Sequence, residues 1–159
     1  EWRVVHRSPV GKGRVCAAPG ADANRVLLYT TQDDGVVLRH ERRDGAWVTE
    51  PVHYGHEGPR GIATGRFDAD ASLEQVAIFG YSGEVELLTR GEGGWSVATI
   101  FQARDRGHWL SPIEIDERNG THELVASGYG GRIVLLSRPA GYGRSDGAAV
   151  TPRRDPSKR

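Results

Sequence analysis

The chain has 159 residues, 37% of them hydrophobic and 22 of them glycine, and its 21 Lys and Arg balance its 21 Asp and Glu to a formal net charge of zero at pH 7. That balance excludes a global field drawing the protein to nucleic acid or to an anionic membrane. No apolar run approaches the roughly 18 residues needed to cross a bilayer and the first residues carry no signal-peptide pattern, so a soluble chain without membrane insertion is expected.

Taken in chain order, residues 1–8 hold Trp2-Arg3-Val4-Val5-His6, predicted as a lone outer strand. Residues 13–53 follow, with strands predicted at Arg14–Ala18, Arg25–Thr30, Val36–Arg42 and Trp47–Val52. Residues 58–102 repeat the pattern at Gly61–Phe67, Gln75–Gly80, Glu84–Arg90 and Trp95–Ile100. Residues 107–138 supply Trp109–Ile115, Glu123–Ser127 and Arg132–Ser137 but no fourth strand. Residues 139–159 are polar with a modest basic excess and read as a flexible tail.

The units are related by spacing. Trp2, Trp47 and Trp95 each open a W-x-V segment, and Asp34-Gly35, Ser82-Gly83 and Gly130-Gly131 recur at steps of 48 residues. Short apolar runs at that period predict an all-β fold of propeller blades, three four-stranded repeats of about 48 residues. Three blades are too few to close a ring. The expectation is therefore a partial propeller, the remainder lying in a longer chain, or half of a six-bladed homodimer in which Trp2–His6 of one copy completes the last blade of the other. The absence of Met points to a processed product or a piece of something longer, and Cys16, in Val15-Cys16-Ala17-Ala18, reads as a small buried thiol.

Propeller ligands usually meet the face made by the connections from fourth to first strand and from second to third. Those connections carry His53, Tyr54, His56, Glu57 and Arg60, then Arg104, Asp105, Arg106, His108 and Trp109, with Tyr81 and Tyr129 one period apart in matching turns. Aromatic planes flanked by Arg and His suit a sugar or an acidic polymer, stacking on the ring and bonding hydroxyls or carboxylates. His53-x-x-His56 with Glu57 and His108 lacks the H-E-x-x-H spacing and the helix that would align a metal set. The glycines of Gly91-Glu92-Gly93-Gly94 and Gly128-Tyr129-Gly130-Gly131 are turn glycines between strands, with no helix to receive a phosphate.

One loop is chemically more specific. Gly65-Arg66-Phe67-Asp68-Ala69-Asp70-Ala71-Ser72-Leu73-Glu74-Gln75-Val76-Ala77 resembles the G-D-F-N-G-D-G-x-x-D-L-x-V repeat of the FG-GAP or VCBS propeller family. Residues 113–125 resemble it with Arg118 at the central acid, and Ala69 and Ala71 stand where the family pattern has glycine. The resemblance implies calcium held by Asp68, Asp70, Ser72 and Glu74, because oxygens at alternate positions of a tight turn converge on a hard cation. It also implies an extracellular or periplasmic protein. Two functional classes follow: a noncatalytic binding scaffold for protein or glycan ligands, or part of a carbohydrate-active enzyme of the polysaccharide lyase or sugar dehydratase type.

Overall fold

The structure, a computed structural model, describes residues 4–19, 25–68, 74–115 and 120–137. Eleven strands run through them: β1 (Lys12–Pro19), β2 (Val26–Gln32), β3 (Val36–Arg43), β4 (Ala46–Tyr54), β5 (Pro59–Thr64), β6 (Glu74–Gly80), β7 (Glu84–Gly91), β8 (Gly94–Gln102), β9 (Gly107–Ile113), β10 (Glu123–Gly128) and β11 (Ile133–Leu136). They form three antiparallel meanders, β1-β2-β3-β4, β5-β6-β7-β8 and β9-β10-β11, and no helix occurs among the described residues. The fold is all-β. Residues 4–8, expected within a lone strand, run without strand pairing, and Ser8 reaches Gln32 through its hydroxyl instead. Residues 139–159, expected as a tail, lie outside the described residues.

Two apolar seams join the sheets. Tyr29, Val37, Ile62, Val76, Ile78 and Leu88 fill the seam between the first and second, with Trp95 edge-on to Tyr29 at 6.2 Å. Phe67, Phe79, Val85, Leu110 and Leu124 fill the seam between the second and third. The second sheet is thus covered on both faces, which is why β6 is buried along nearly its whole length and reads as a continuous apolar run. The first and third sheets each leave part of the outer face in water, at Val15, Ile115 and Ile133, although Leu38 and His40 on that face of the first sheet are buried and His6 lies against His40. Cys16 packs at the first seam, and burial pushes its thiol up to about 12 despite a hydrogen bond with Thr64. At neutral pH the folded chain is expected to react with a thiol reagent more than about 100-fold slower than the unfolded chain, because the thiolate is the nucleophile.

Two irregularities repeat. Gly35, Gly83 and Gly131 all hold positive φ, at 92°, 77° and 75°. Each closes a turn by donating its amide to Gln32, Gly80 or Gly128 at 3.0, 3.0 and 3.3 Å, a geometry that L side chains disfavour and glycine accepts. The second irregularity is a bulge near the start of each sheet's first strand. Gly13 and Arg14 oppose Thr31 alone, Arg60 is extra between Pro59 and Gly61, and His108 is extra between Gly107 and Trp109. A bulge turns its extra side chain out of the pleat.

Candidate functional site

Bulges and turns meet at one end of the sheets. The second position of each turn is Asp33, Tyr81 or Tyr129, and backbone bonds tie these turns to the neighbouring connections: Asp33 N to Gly11 O at 2.9 Å, Gly58 N to Asp33 O at 3.0 Å, and Tyr129 N to Arg106 O at 3.1 Å. Every sheet therefore delivers one turn residue and a bulge residue to the same surface.

Arg60 is its hub. Its Nη1 donates to Asp33 Oδ1 at 2.6 Å and its Nε to the Tyr81 hydroxyl at 3.2 Å. The Arg60 and Arg106 guanidiniums lie 5.3 and 5.5 Å from the Tyr81 ring centroid, within cation–π range. Tyr81 is 6.1 Å from Tyr129, and Tyr129 is 4.6 Å from the His108 ring. Arg14 donates from Nε to the Arg60 carbonyl at 3.1 Å and sits 5.0 Å over Trp109. Trp109 and Tyr129 stay 51% and 57% exposed, so both rings keep area for a ligand.

The electrostatics are lopsided. Arg14, Arg60 and Arg106 share this surface with two carboxylates: Asp33, which accepts from Arg60, and Asp105, which accepts from the Gly130 amide at 2.8 Å. Arg60's donation to its hydroxyl is the largest of the effects that lower Tyr81 from its ordinary phenol value; the cation favours the phenolate. His108 Nδ1 is buried and has no hydrogen-bond partner among the described residues.

Of the residues singled out in the sequence, Arg60, Tyr81, Arg106, His108, Trp109 and Tyr129 come together here. His53 and His56 do not join them. They meet Glu86 at 3.5 Å and Glu84 at 3.2 Å along the seam between the first two sheets, so His53, His56 and His108 do not converge as a metal set. Tyr54 is 74% exposed, and Arg104 lines a separate cleft. Asp33 and Arg14 went unrecognised in the sequence, although Asp33 lies one period before Tyr81 and that spacing marks it.

The loop implied to hold calcium divides. Asp70 and Ser72 lie outside the described residues, and Asp68 is half-buried. Glu74 does not fit the set. Its Oε1 accepts from Arg39 Nε at 2.7 Å and its Oε2 from Arg90 Nη1 at 3.3 Å, so two guanidiniums hold the oxygens a cation would need. Among the described residues no group of three or more His, Cys, Asp or Glu is arranged to hold a metal. Thermal midpoints with and without calcium test the implied site: an ion present at 100 times its Kd would add about 2.7 kcal/mol and a clear rise.

Neither protein-family models nor curated proteins match the chain.

Proposed function

We propose that the three sheets are consecutive blades of a β-propeller and that the Arg60–Tyr81–Trp109 surface is its noncatalytic binding face, best suited to an acidic glycan and secondarily to an acidic protein segment. The single observation that carries the reading is the surface itself: three guanidiniums against two carboxylates, interleaved with two half-exposed aromatic rings, drawn from the bulge and turn positions of the three repeats with Arg106 and Trp109 beside them. Guanidiniums match carboxylates and sulfates in a bidentate fork, and rings accept the apolar face of a sugar. The blade reading draws support from the period and from packing of first strand against first strand, β1 on β5 and β5 on β9. It also gives the exposed apolar side chains of the outer sheets a neighbour, either in a longer chain or in a second copy.

The test is binding to polygalacturonate against neutral starch by biolayer interferometry. Binding to the acidic polymer alone is expected, weakening as salt rises because exposed charges are screened. Arg106→Gln should lower affinity about tenfold, the low end for a charge-assisted bond, and Trp109→Ala several-fold. Equal binding to both polymers, or none, would sink the proposal. Gly58→Ala is a conformational probe of the same face. Gly58 holds φ 69° and a Cβ there would run into the Tyr81 ring, so a stability loss of about 1–2 kcal/mol and a displaced Tyr81 are expected.

The lowered Tyr81 hydroxyl favours a second reading, a polysaccharide lyase in which Tyr81 as phenolate takes the C5 proton beside a uronate carboxylate held by Arg106, the C4–O bond breaks as the C4–C5 double bond forms, and the Tyr81 hydroxyl returns that proton to the departing oxygen. Ultraviolet absorbance of an unsaturated uronate separates the two: growth of that band that is lost in Tyr81→Phe selects the enzyme.

A further inference from the structure

The 48-residue period allows one seam to serve as the control for the next. At the seam between the first two sheets His53 meets Glu86 and His56 meets Glu84, so each imidazole has a carboxylate beside it. One period later the same four positions are Phe101, Val134, Arg104 and Arg132. The inner pair has become apolar and the outer pair doubly cationic. Between them the seam does not close: a cleft of about 250 Å³ remains, with Phe79, Phe101, Ala126 and Val134 among its walls and Arg104, Asp105 and Arg132 beside them.

Arg104 and Arg132 are exposed and have no hydrogen bond or ion pair from their side chains among the described residues. Asp105 is the nearest candidate partner, but its carboxylate is turned to the backbone of the following turn, where Oδ2 accepts from Gly130 N at 2.8 Å. Two cations line one apolar cleft at the positions where the preceding repeat pairs a histidine with a glutamate. What the second seam lacks, relative to the first, is a carboxylate paired with its cationic side chains among the described residues.

We propose that this cleft binds a small carboxylate with an apolar body, its carboxylate lying between Arg104 and Arg132 and its body against Phe101 and Val134. The volume lies just below the usual range of drug-sized pockets and suits a ligand of one ring or a short chain. The fork geometry of two guanidiniums selects a carboxylate over a neutral group of the same shape. None of these residues belongs to the Arg60–Tyr81–Trp109 surface, so the two sites stand or fall separately.

Phenylacetate and its neutral amide, phenylacetamide, provide matched probes for titration of the full chain by NMR and calorimetry. Phenylacetate is expected to bind with a Kd on the order of 1 mM and the amide at least about tenfold more weakly. Arg104→Gln and Arg132→Gln should each weaken phenylacetate about tenfold, and the double variant should no longer distinguish the two probes. Both arginines are exposed, so the variants should melt like the parent, within about 0.5 kcal/mol. Equal affinity for acid and amide, undiminished binding by the double variant, or no saturable binding by the folded parent would each overturn the proposal. Polygalacturonate binding by the same double variant is expected to persist, which keeps this site distinct from the surface proposed above.

Discussion

Replacing Arg39 by Met is expected to lower stability by about 3 kcal/mol and the melting temperature by about 10 °C, read by circular dichroism on heating. Arg39 is 1% exposed in β3 and joins three carboxylates: Nη1 donates to Glu41 at 2.8 Å and to Glu50 at 3.2 Å, and Nε crosses to Glu74 of the second sheet at 2.7 Å. Glu41 is buried too, and removing a guanidinium from a buried carboxylate costs more than the pair contributed, because the remaining charge is left desolvated. Arg25 and Arg43 still reach Glu41, and Arg90 still reaches Glu74, which places the loss at the low end for a broken buried pair. Arg39→Lys should recover less than half of it, since one ammonium lacks the planar fork that reaches three acceptors. Adding Glu41→Gln to Arg39→Met should restore part of the loss. A melting point unchanged in Arg39→Met would mean that this ion cluster adds nothing to the other contacts that hold the first seam.

Acid should unfold the protein along two separate limbs. His40 is 1% exposed, with Nε2 at 2.9 Å from Thr30 Oγ1 and Nδ1 at 2.8 Å from Thr49 Oγ1. Burial, reinforced by His6 and Lys12, holds its imidazole down at about 4, against an ordinary value of 6.5. Above 6.5 it is neutral in both folded and unfolded chains; below that the unfolded chain gains a proton the folded chain refuses, so stability falls until pH 4 and then levels. Burial pushes Glu41 up, but the Arg25, Arg43 and Arg39 hydrogen bonds more than reverse this and hold it at about 2, against 4.5. Its contribution is complete above 4.5 and is lost as pH falls through 2. Each limb is worth about 3 kcal/mol. Burial raises Glu74 above its ordinary 4.5, so its cost relaxes as pH falls towards 4.5 and blunts the upper limb, leaving the lower one untouched. Urea midpoints across this range should show both limbs, and His40→Gln should erase the upper while leaving the lower. A single limb beginning below pH 4.5 would show that His40 titrates alike folded and unfolded.

The strands and turns were legible because they repeat. Gly35, Gly83 and Gly131 stand at equal spacing and all proved to hold positive φ, and the predicted strand positions from Arg14 to Ser137 fall on the eleven observed strands within a few residues. The local pattern suffices there because a strand needs only alternation and a turn needs only its glycine. Contacts between sheets left no such mark. Arg39 and Glu74 are 35 residues apart, and within β3 Arg39 opens the polar run Arg39–Arg43 that reads as solvent-facing, so its burial follows from the second sheet arriving over it. The binding surface was half legible for the same reason: Tyr81 and Tyr129 announce themselves by spacing, whereas the separation of His53 and His56 from Arg60 depends on the bulge that turns Arg60 the other way.

That bulge keeps the Arg60–Tyr81–Trp109 surface apart from the apolar seams. Arg14 and Asp33, Arg60 and Tyr81, His108 and Tyr129 are paired addresses, one pair per repeat, and neither member of a pair lies in either apolar seam. Such a layout behaves like a keyboard. Three pairs of keys can be relettered, for a sulfated ligand or a neutral one, while the mechanism beneath them is left as it is.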